Sequence, residues 1–260
     1  MIRTYSSRCE SAEWLRALAY ADNSAKYPIN MQVSGLRLGE TPQKTIKILF
    51  NFYKNKYKNP EAELTKEYAP DPSNPNKRYI AELSDGDGQN GGPTIVFSPP
   101  FDGNVSIYIY KSFDYLHPGE NYNLGWSLPA ISLNLVQKGL IKKFGKPSFT
   151  TIGTEIRYYW LKPEIAKSMQ FSYKSCQISL PSNQLPIGNK ACGDSIIASI
   201  FSETSRSLNK KIALKVHISI ADQKRMYDDY LKTIKIENEL RNNKLEAEKK
   251  ALSSQKAPNF

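Results

Sequence analysis

The sequence predicts an α+β fold: two helix-plus-antiparallel-sheet units related by an internal repeat, followed by a charged C-terminal helix. Three observations predict it. Two amphipathic helical segments share helix starts and breakers at one spacing, because Pro42 and Pro129 stand 87 residues apart, as do Pro60 and Pro147. Runs in which apolar and polar residues alternate follow each segment, which is the period of a strand with one face buried. From Asp222 onward, charged residues dominate a stretch with no proline before Pro258.

Residues 1–27 read as a lead-in, in which Ser11 to Tyr20 makes a short helix with Trp14, Leu15 and Leu18 on one side. The first unit spans 28–118. Met31 to Gly39 is a short strand or turn. Thr41 then caps a helix whose first residue is Pro42, where the missing N–H has no intrahelical partner to lose. Ile46, Leu49, Tyr53 and Tyr57 form its apolar face, and Lys54, Lys56 and Lys58 suit the negative end of the helix dipole before Pro60 stops it. Residues 67–78 carry Pro70, Pro72 and Pro75 and read as a loop. Arg78 to Leu83, Thr94 to Ser98 and Val105 to Tyr110 read as strands, with a turn over Asp85 to Pro93.

The second unit spans 119–220. Ser127 is placed to cap and Pro129 to open a helix with Leu133, Val136, Leu140 and Phe144 on one face, ending at Gly145 and Pro147. At the 87-residue offset Ile46 meets Leu133, Leu49 meets Val136, Tyr53 meets Leu140 and Tyr57 meets Phe144. The competing reading is two ordinary amphipathic helices that share capping rules, and the strands after them do not align at that offset. Glu155 to Leu161 is a strand, Met169 to Leu180 supplies one or two more, and the apolar run Asp194 to Phe201 is of undecided type. Lys211 to Ile220 alternates most cleanly, with Ile212, Leu214, Val216, Ile218 and Ile220 on a buried face and Ala213, Lys215, His217 and Ser219 on a wet one. Residues 221–260 form the charged helix and tail, capped by Asp222, with Met226, Tyr230 and Ile234 as its few apolar contacts.

The chain has 260 residues and a formal net charge of +11. A basic balance favours acidic partners such as nucleic acid, anionic lipid or a polyanion. The Lys and Arg residues are spread along the chain, however, as on a solvated surface. No stretch approaches the roughly 18–20 apolar residues of a membrane span. The stretch before Ala19-Tyr20-Ala21 holds Glu10, Glu13 and Arg16 and so has no apolar core of a secretory signal. Cys176 and Cys192 flank a Pro/Asn/Gly-rich connection, and closing that loop with a disulfide would contribute about 3 kcal/mol in the chain-entropy model. Two ordinary buried thiols are the alternative. Cys9 is left over.

Catalytic and metal chemistries are sparsely represented. His117 and His217 have no metal-ligand spacing around them. Asp85-Gly-Asp87-Gly-Gln89-Asn90 has Gln89, Asn90 and Val96 where a calcium loop needs an oxygen ligand, glycine and glutamate, so it reads as a hairpin loop. Cys192-Gly193-Asp194 with His217 is the one Cys/His candidate for a nucleophile, and it competes with the disulfide. Phe52-Tyr53-Lys54 and Arg157-Tyr158-Tyr159-Trp160 mix aromatic and basic residues in a way that could stack bases. No cofactor motif is present.

Gly35-Leu36-Arg37-Leu38-Gly39-Glu40-Thr41, followed by a helix, resembles the opening of a repeat in small bacterial envelope proteins. Those are the outer-membrane lipoprotein of the barrel-assembly machinery and proteins with a β-lactamase-inhibitor-like fold. Glu40 stands where such repeats usually carry an apolar residue. Leu140 to Pro147 with Trp160 is similar to their run of helix, aromatic-Gly-x-Pro and Trp-bearing strand. The Cys176…Cys192-Gly193 segment, with its closing strand and Asp222, looks like that of two-repeat proteins of Gram-negative bacteria. Arg8 before Cys9 departs from a lipid-attachment site. The resemblance implies helices packed on sheet, a periplasmic or otherwise extracytoplasmic location, binding of another protein, and no active site. The sequence therefore supports two expectations. One is a non-enzymatic binding or structural protein of the bacterial envelope. The other, resting on the charge and the missing signal, is a basic cytoplasmic or phage-derived nucleic-acid-binding protein.

Overall fold

A computed structural model of the chain describes residues 31–53, 64–85, 92–115, 130–168, 176, 178, 187–205 and 209–254. The expected helix at Ser11 to Tyr20, the caps Ser127 and Pro129, Tyr57, Pro60 and His117 lie outside them.

The Gly35 motif begins with a hairpin of β1 (Gln32–Val33) and β2 (Leu36–Arg37). Ser34 and Gly35 both have positive φ, 53° and 81°, as a tight hairpin turn of matching twist requires. Helix α1 (Pro42–Tyr53) follows, and the amide of Lys44 donates to the Thr41 hydroxyl at 3.4 Å. Strands β3 (Leu64–Asp71), β4 (Asn74–Asp85), β5 (Pro93–Phe97) and β6 (Ser106–Asp114) come next, with a 3-10 turn at Pro100–Asp102 between the last two. Then β7 (Ile131–Ser132) leads into α2 (Leu133–Phe144), β8 (Phe149–Ile152), β9 (Ile156–Trp160) and α3 (Pro163–Ser168). A 3-10 turn at Lys190–Cys192 precedes β10 (Asp194–Ser205), β11 (Lys210–Asp222) and α4 (Gln223–Ser253).

One large antiparallel sheet carries the described chain, in the order β3-β4-β5-β6-β11-β10-β9-β8, with β7 paired to β11 off that path. The order has a plain logic. A helix is followed by four strands that run outer to inner, β3 to β6. A second helix is followed by β8 to β11, again outer to inner. The two innermost strands meet at the centre, where Ile218 of β11 stands opposite Lys111 of β6. In each half the residues just before the helix bond the start of the innermost strand. Gly39 and Glu40 exchange backbone bonds with Ser106, and Ile131 and Ser132 pair with Ala213 and Ile212.

Three expectations need correction. Residues 67–78 are not a loop but the core of the β3–β4 hairpin, with irregularities at Glu67/Tyr68 and Pro70/Asp71. Pro70 is tolerated because β3 is an edge strand, Pro72 lies in the turn, and Pro75 lies in the part of β4 beyond its pairing with β5. The cap of α2 is Ser132, whose hydroxyl accepts from the Leu135 amide at 3.3 Å. The helices therefore begin 91 residues apart, not 87. The buried Pro42, Thr45 and Leu49 correspond at that spacing to the buried Leu133, Val136 and Leu140. The undecided run at Asp194 is a strand, the neighbour of β11 along its whole length.

Helices α1 and α2 lie on one face of the sheet. The main core there joins Leu49, Leu133, Val136, Leu140 and Phe144 to Leu83, Ile95, Ile109, Trp160, Ile196, Ile218 and Ile220. Burying each such side chain contributes about 1.5–3 kcal/mol. The Phe-Gly-x-Pro run and Trp160 are one packing unit. Gly145 takes φ 81° to end α2, its carbonyl accepts from the Trp160 indole Nε1 at 2.9 Å, and Phe144 and Trp160 pack with ring centroids 5.2 Å apart. Among the described residues no helix is long and apolar enough to cross a membrane.

Candidate functional site

The face opposite α1 and α2 divides into a closed end and an open end. Two smaller cores close it. One joins Phe149, Tyr159, Leu161 and Ile197 to Ala166 of α3 and to Cys176 and Cys192. The other joins Val96, Ile107, Tyr108 and Ala221 to Met226 at the start of α4.

The cysteine pair expected from the spacing is a disulfide, Cys176–Cys192, with Cα atoms 5.7 Å apart and both residues buried. It stands beside the first residue of α4. Gln223 is fully buried; its Nε2 donates to the Cys176 carbonyl and to the Ser195 hydroxyl, both at 2.9 Å, and its Oε1 accepts from the Asn189 amide at 3.2 Å. Gly188 allows this approach, since a Cβ there would lie 2.3 Å from the Gln223 carbonyl oxygen. Asp222 caps the helix by accepting from the Arg225 amide at 2.9 Å. Arg225 in turn bonds the Asp102 carboxylate through Nε and the Asp102 carbonyl through Nη2 at 2.7 Å. After these anchors α4 runs on with both signs of charge interleaved, as in the Lys235–Glu239 and Lys244–Glu248 pairs, and every residue from Glu237 to Ser254 is exposed. At about 1.5 Å per residue, the whole helix is roughly 46 Å long.

The open end is set by strand register. Ser112, His217, Ser199, Arg157 and Thr151 stand in one row across β6, β11, β10, β9 and β8, and all five are half-buried. Lys215 and Asp114 pair beside them at 3.1 Å. Arg157 is paired with Glu155. His217 lies between the rings of Tyr110 and Phe201, each edge-on with centroids 5.4 Å away. Its Nε2 is buried without a hydrogen-bond partner among the described residues. Burial, and next the charge of Lys215, push the His217 pKa below the usual histidine value against the pull of Asp114, so the ring is neutral at pH 7. The expected wet face of β11 is thus only half wet, and the alternation slips at the irregularity opposite Phe201/Ser202, where Ala213 joins the core and Leu214 is only half-buried.

These positions decide the chemistry offered by the sequence. Cys192 cannot serve His217 as a nucleophile, because its sulfur is in the disulfide and it lies at the closed end of the face, away from His217 at the open end. His217 pairs with Ser199, five residues along the strand from the Asp194–Asp222 pair, about 16 Å. Tyr158, Tyr159 and Trp160 are buried and present no ring to a base. Among the described residues no group of three His, Cys, Asp or Glu side chains could hold a metal ion. The loop after Asp85 lies outside them. Sequence reasoning missed Gln223 and Asp229, both buried on a helix that reads as charged and solvated. The signal present was proximity to the Asp222 cap, which marks the turn most firmly held. No family model, curated protein or solved structure matches the chain.

Proposed function

We propose that this chain is a non-enzymatic binding protein of the bacterial envelope. It consists of two copies of a helix-plus-four-strand unit and docks a protein partner on the open end of the sheet face opposite α1 and α2. The observation that carries the reading is the row from Ser112 to Thr151 around His217: aromatic edges, hydroxyls and an arginine stem left half-covered where the rest of that face is closed by α3, α4 and the disulfide. Rings and an arginine on a firm sheet are what protein interfaces draw on. A duplicated origin is supported by the repeated order of helix and strands, by helices of equal length and matched burial, and by the meeting of the innermost strands. The extracytoplasmic location is supported by the disulfide, which persists in oxidising compartments.

The test is a photo-crosslinking amino acid at Ser199 or Thr151, set against one at Leu135 or Ile141, which are exposed on α2. The chain is expressed in its native cells. Protein adducts from the sheet positions alone, unchanged by raised salt, are the expected result. Adducts from the helix positions alone would overturn the reading. Nucleic-acid adducts that disappear steeply as salt rises would replace it with the basic nucleic-acid binder.

A further inference from the structure

The three α4 residues Arg225, Asp229 and Lys232 share a face, at i, i+4 and i+7, and all point at the 3-10 turn Pro100–Asp102. Arg225 is spent on Asp102, through the carboxylate and the carbonyl. The Lys232 ammonium sits over the Phe101 ring, 4.3 Å from its centroid. Asp229, between them, is only 4% exposed, and its Oδ2 is buried without a hydrogen-bond partner among the described residues. Neither cation of its own helix bonds it directly, while the Asp102 carboxylate faces it. A charged Asp229 in this position carries a desolvation cost and a like-charge repulsion together. A protonated Asp229 carries neither, and it can donate its proton toward Asp102.

We infer that Asp229 is a pH-sensitive latch: protonated, it holds the first turns of α4 against the Pro100–Asp102 turn and the sheet, and ionised, it loosens them. The groups that face it are Asp102 from the 3-10 turn, Arg225 and Lys232 from its own helix, and Tyr79 from β4, with Asp71 near Tyr79. Burial, then Asp102, raise the Asp229 pKa to about 7, with Arg225 and Lys232 opposing. Burial, then Asp229 and Asp71, raise Tyr79 to about 12, so Tyr79 stays neutral throughout. The native state thus holds the Asp229 proton more tightly than the unfolded chain does. The latch is fully engaged below about pH 4 and is lost as pH rises through about 7, weakening roughly tenfold per unit between.

The buried methyl of Met226, one turn before Asp229, reports the docking directly. In the full chain labelled with 13C-methyl methionine, the Met226 signal is followed from pH 5 to 8.5, with Met31 as the internal control of the fold. The expected result is a Met226 change with a midpoint near neutral pH in the native chain and none in Asp229→Asn, whose neutral amide mimics the latched state. Asp194 faces Asp222 at the helix start, and burial, then Asp222, raise the Asp194 pKa, so a Met226 change that Asp229→Asn leaves whole is assigned to Asp194 and not to the latch. A Met226 signal that ignores pH, or a change that survives in Asp229→Asn, overturns the latch. If Asp229→Asn fails to fold, Asp102→Asn is used instead. Removal of the like charge should then shift the midpoint down by a unit or more, and an unmoved midpoint overturns the inference.

Discussion

Replacing Gln223 by leucine tests whether the junction of disulfide, sheet and C-terminal helix is held by hydrogen bonds or by filled space. The amide is fully buried and makes three bonds, to the Cys176 carbonyl, the Ser195 hydroxyl and the Asn189 amide. A buried hydrogen bond is worth about 1 kcal/mol net. Leucine fills nearly the same volume and offers none of the three. Its greater apolarity returns a part, which leaves an expected loss of about 2–3 kcal/mol. Urea unfolding followed by tryptophan fluorescence, with Trp160 as a buried reporter, measures it. The midpoint should fall with the slope unchanged, since the surface exposed on unfolding is the same. A Gln223→Leu chain within about 0.5 kcal/mol of the native one, a typical surface-substitution effect, would refute the reasoning and make the residue a space-filler.

Removing the disulfide, as Cys176→Ser with Cys192→Ser, should cost about 3 kcal/mol for a closure of this length. The same urea assay reads it, and non-reducing mass spectrometry of protein from native cells checks that the bond forms there. Trp160→Phe removes the bond to the Gly145 carbonyl and part of the ring packing against Phe144, and should cost about 1–2 kcal/mol; thermal unfolding at matched conditions is sufficient, and a neutral result would show that the indole N–H contributes nothing.

Periodicity made the elements legible where one face is buried and the other is not. Strand β11 and helix α2 were readable from the spacing of Ile212 to Ile220 and of Leu133 to Phe144 for that reason. It failed where both faces are covered or an edge is polar. Strand β10 is buried on both faces over Ser195 to Ala198 and shows a run, not an alternation. The β3–β4 hairpin hides behind prolines because an edge strand tolerates them. The 87-residue offset rested on prolines matched as landmarks, but Pro42 opens α1, whereas Pro129 lies upstream of the Ser132 cap and α2 opens at Leu133. Of the site, the cysteine pair was visible in its spacing. The His217 row was not, because it joins five strands and exists only once their order is known.

The net charge is the strongest argument for a nucleic-acid partner, and the arrangement of charges argues against it. Affinity for a polyanion comes from releasing counterions at many unpaired cations presented together. On the open face Lys215 is paired with Asp114 and Arg157 with Glu155. Along α4, Lys235, Lys244 and Lys249 stand at pairing distance from Glu239, Glu248 and Glu246. Cations neutralised within the molecule release few ions, so these pairs on the open face and along α4 add little to affinity for a polyanion. What the open face does offer is rigid and mostly neutral: a histidine ring held uncharged, flanking aromatic edges, and hydroxyls fixed by strand register. Such a surface gains more from excluding water against a complementary solid surface than from meeting a flexible charged strand, which weighs toward a folded protein as the partner.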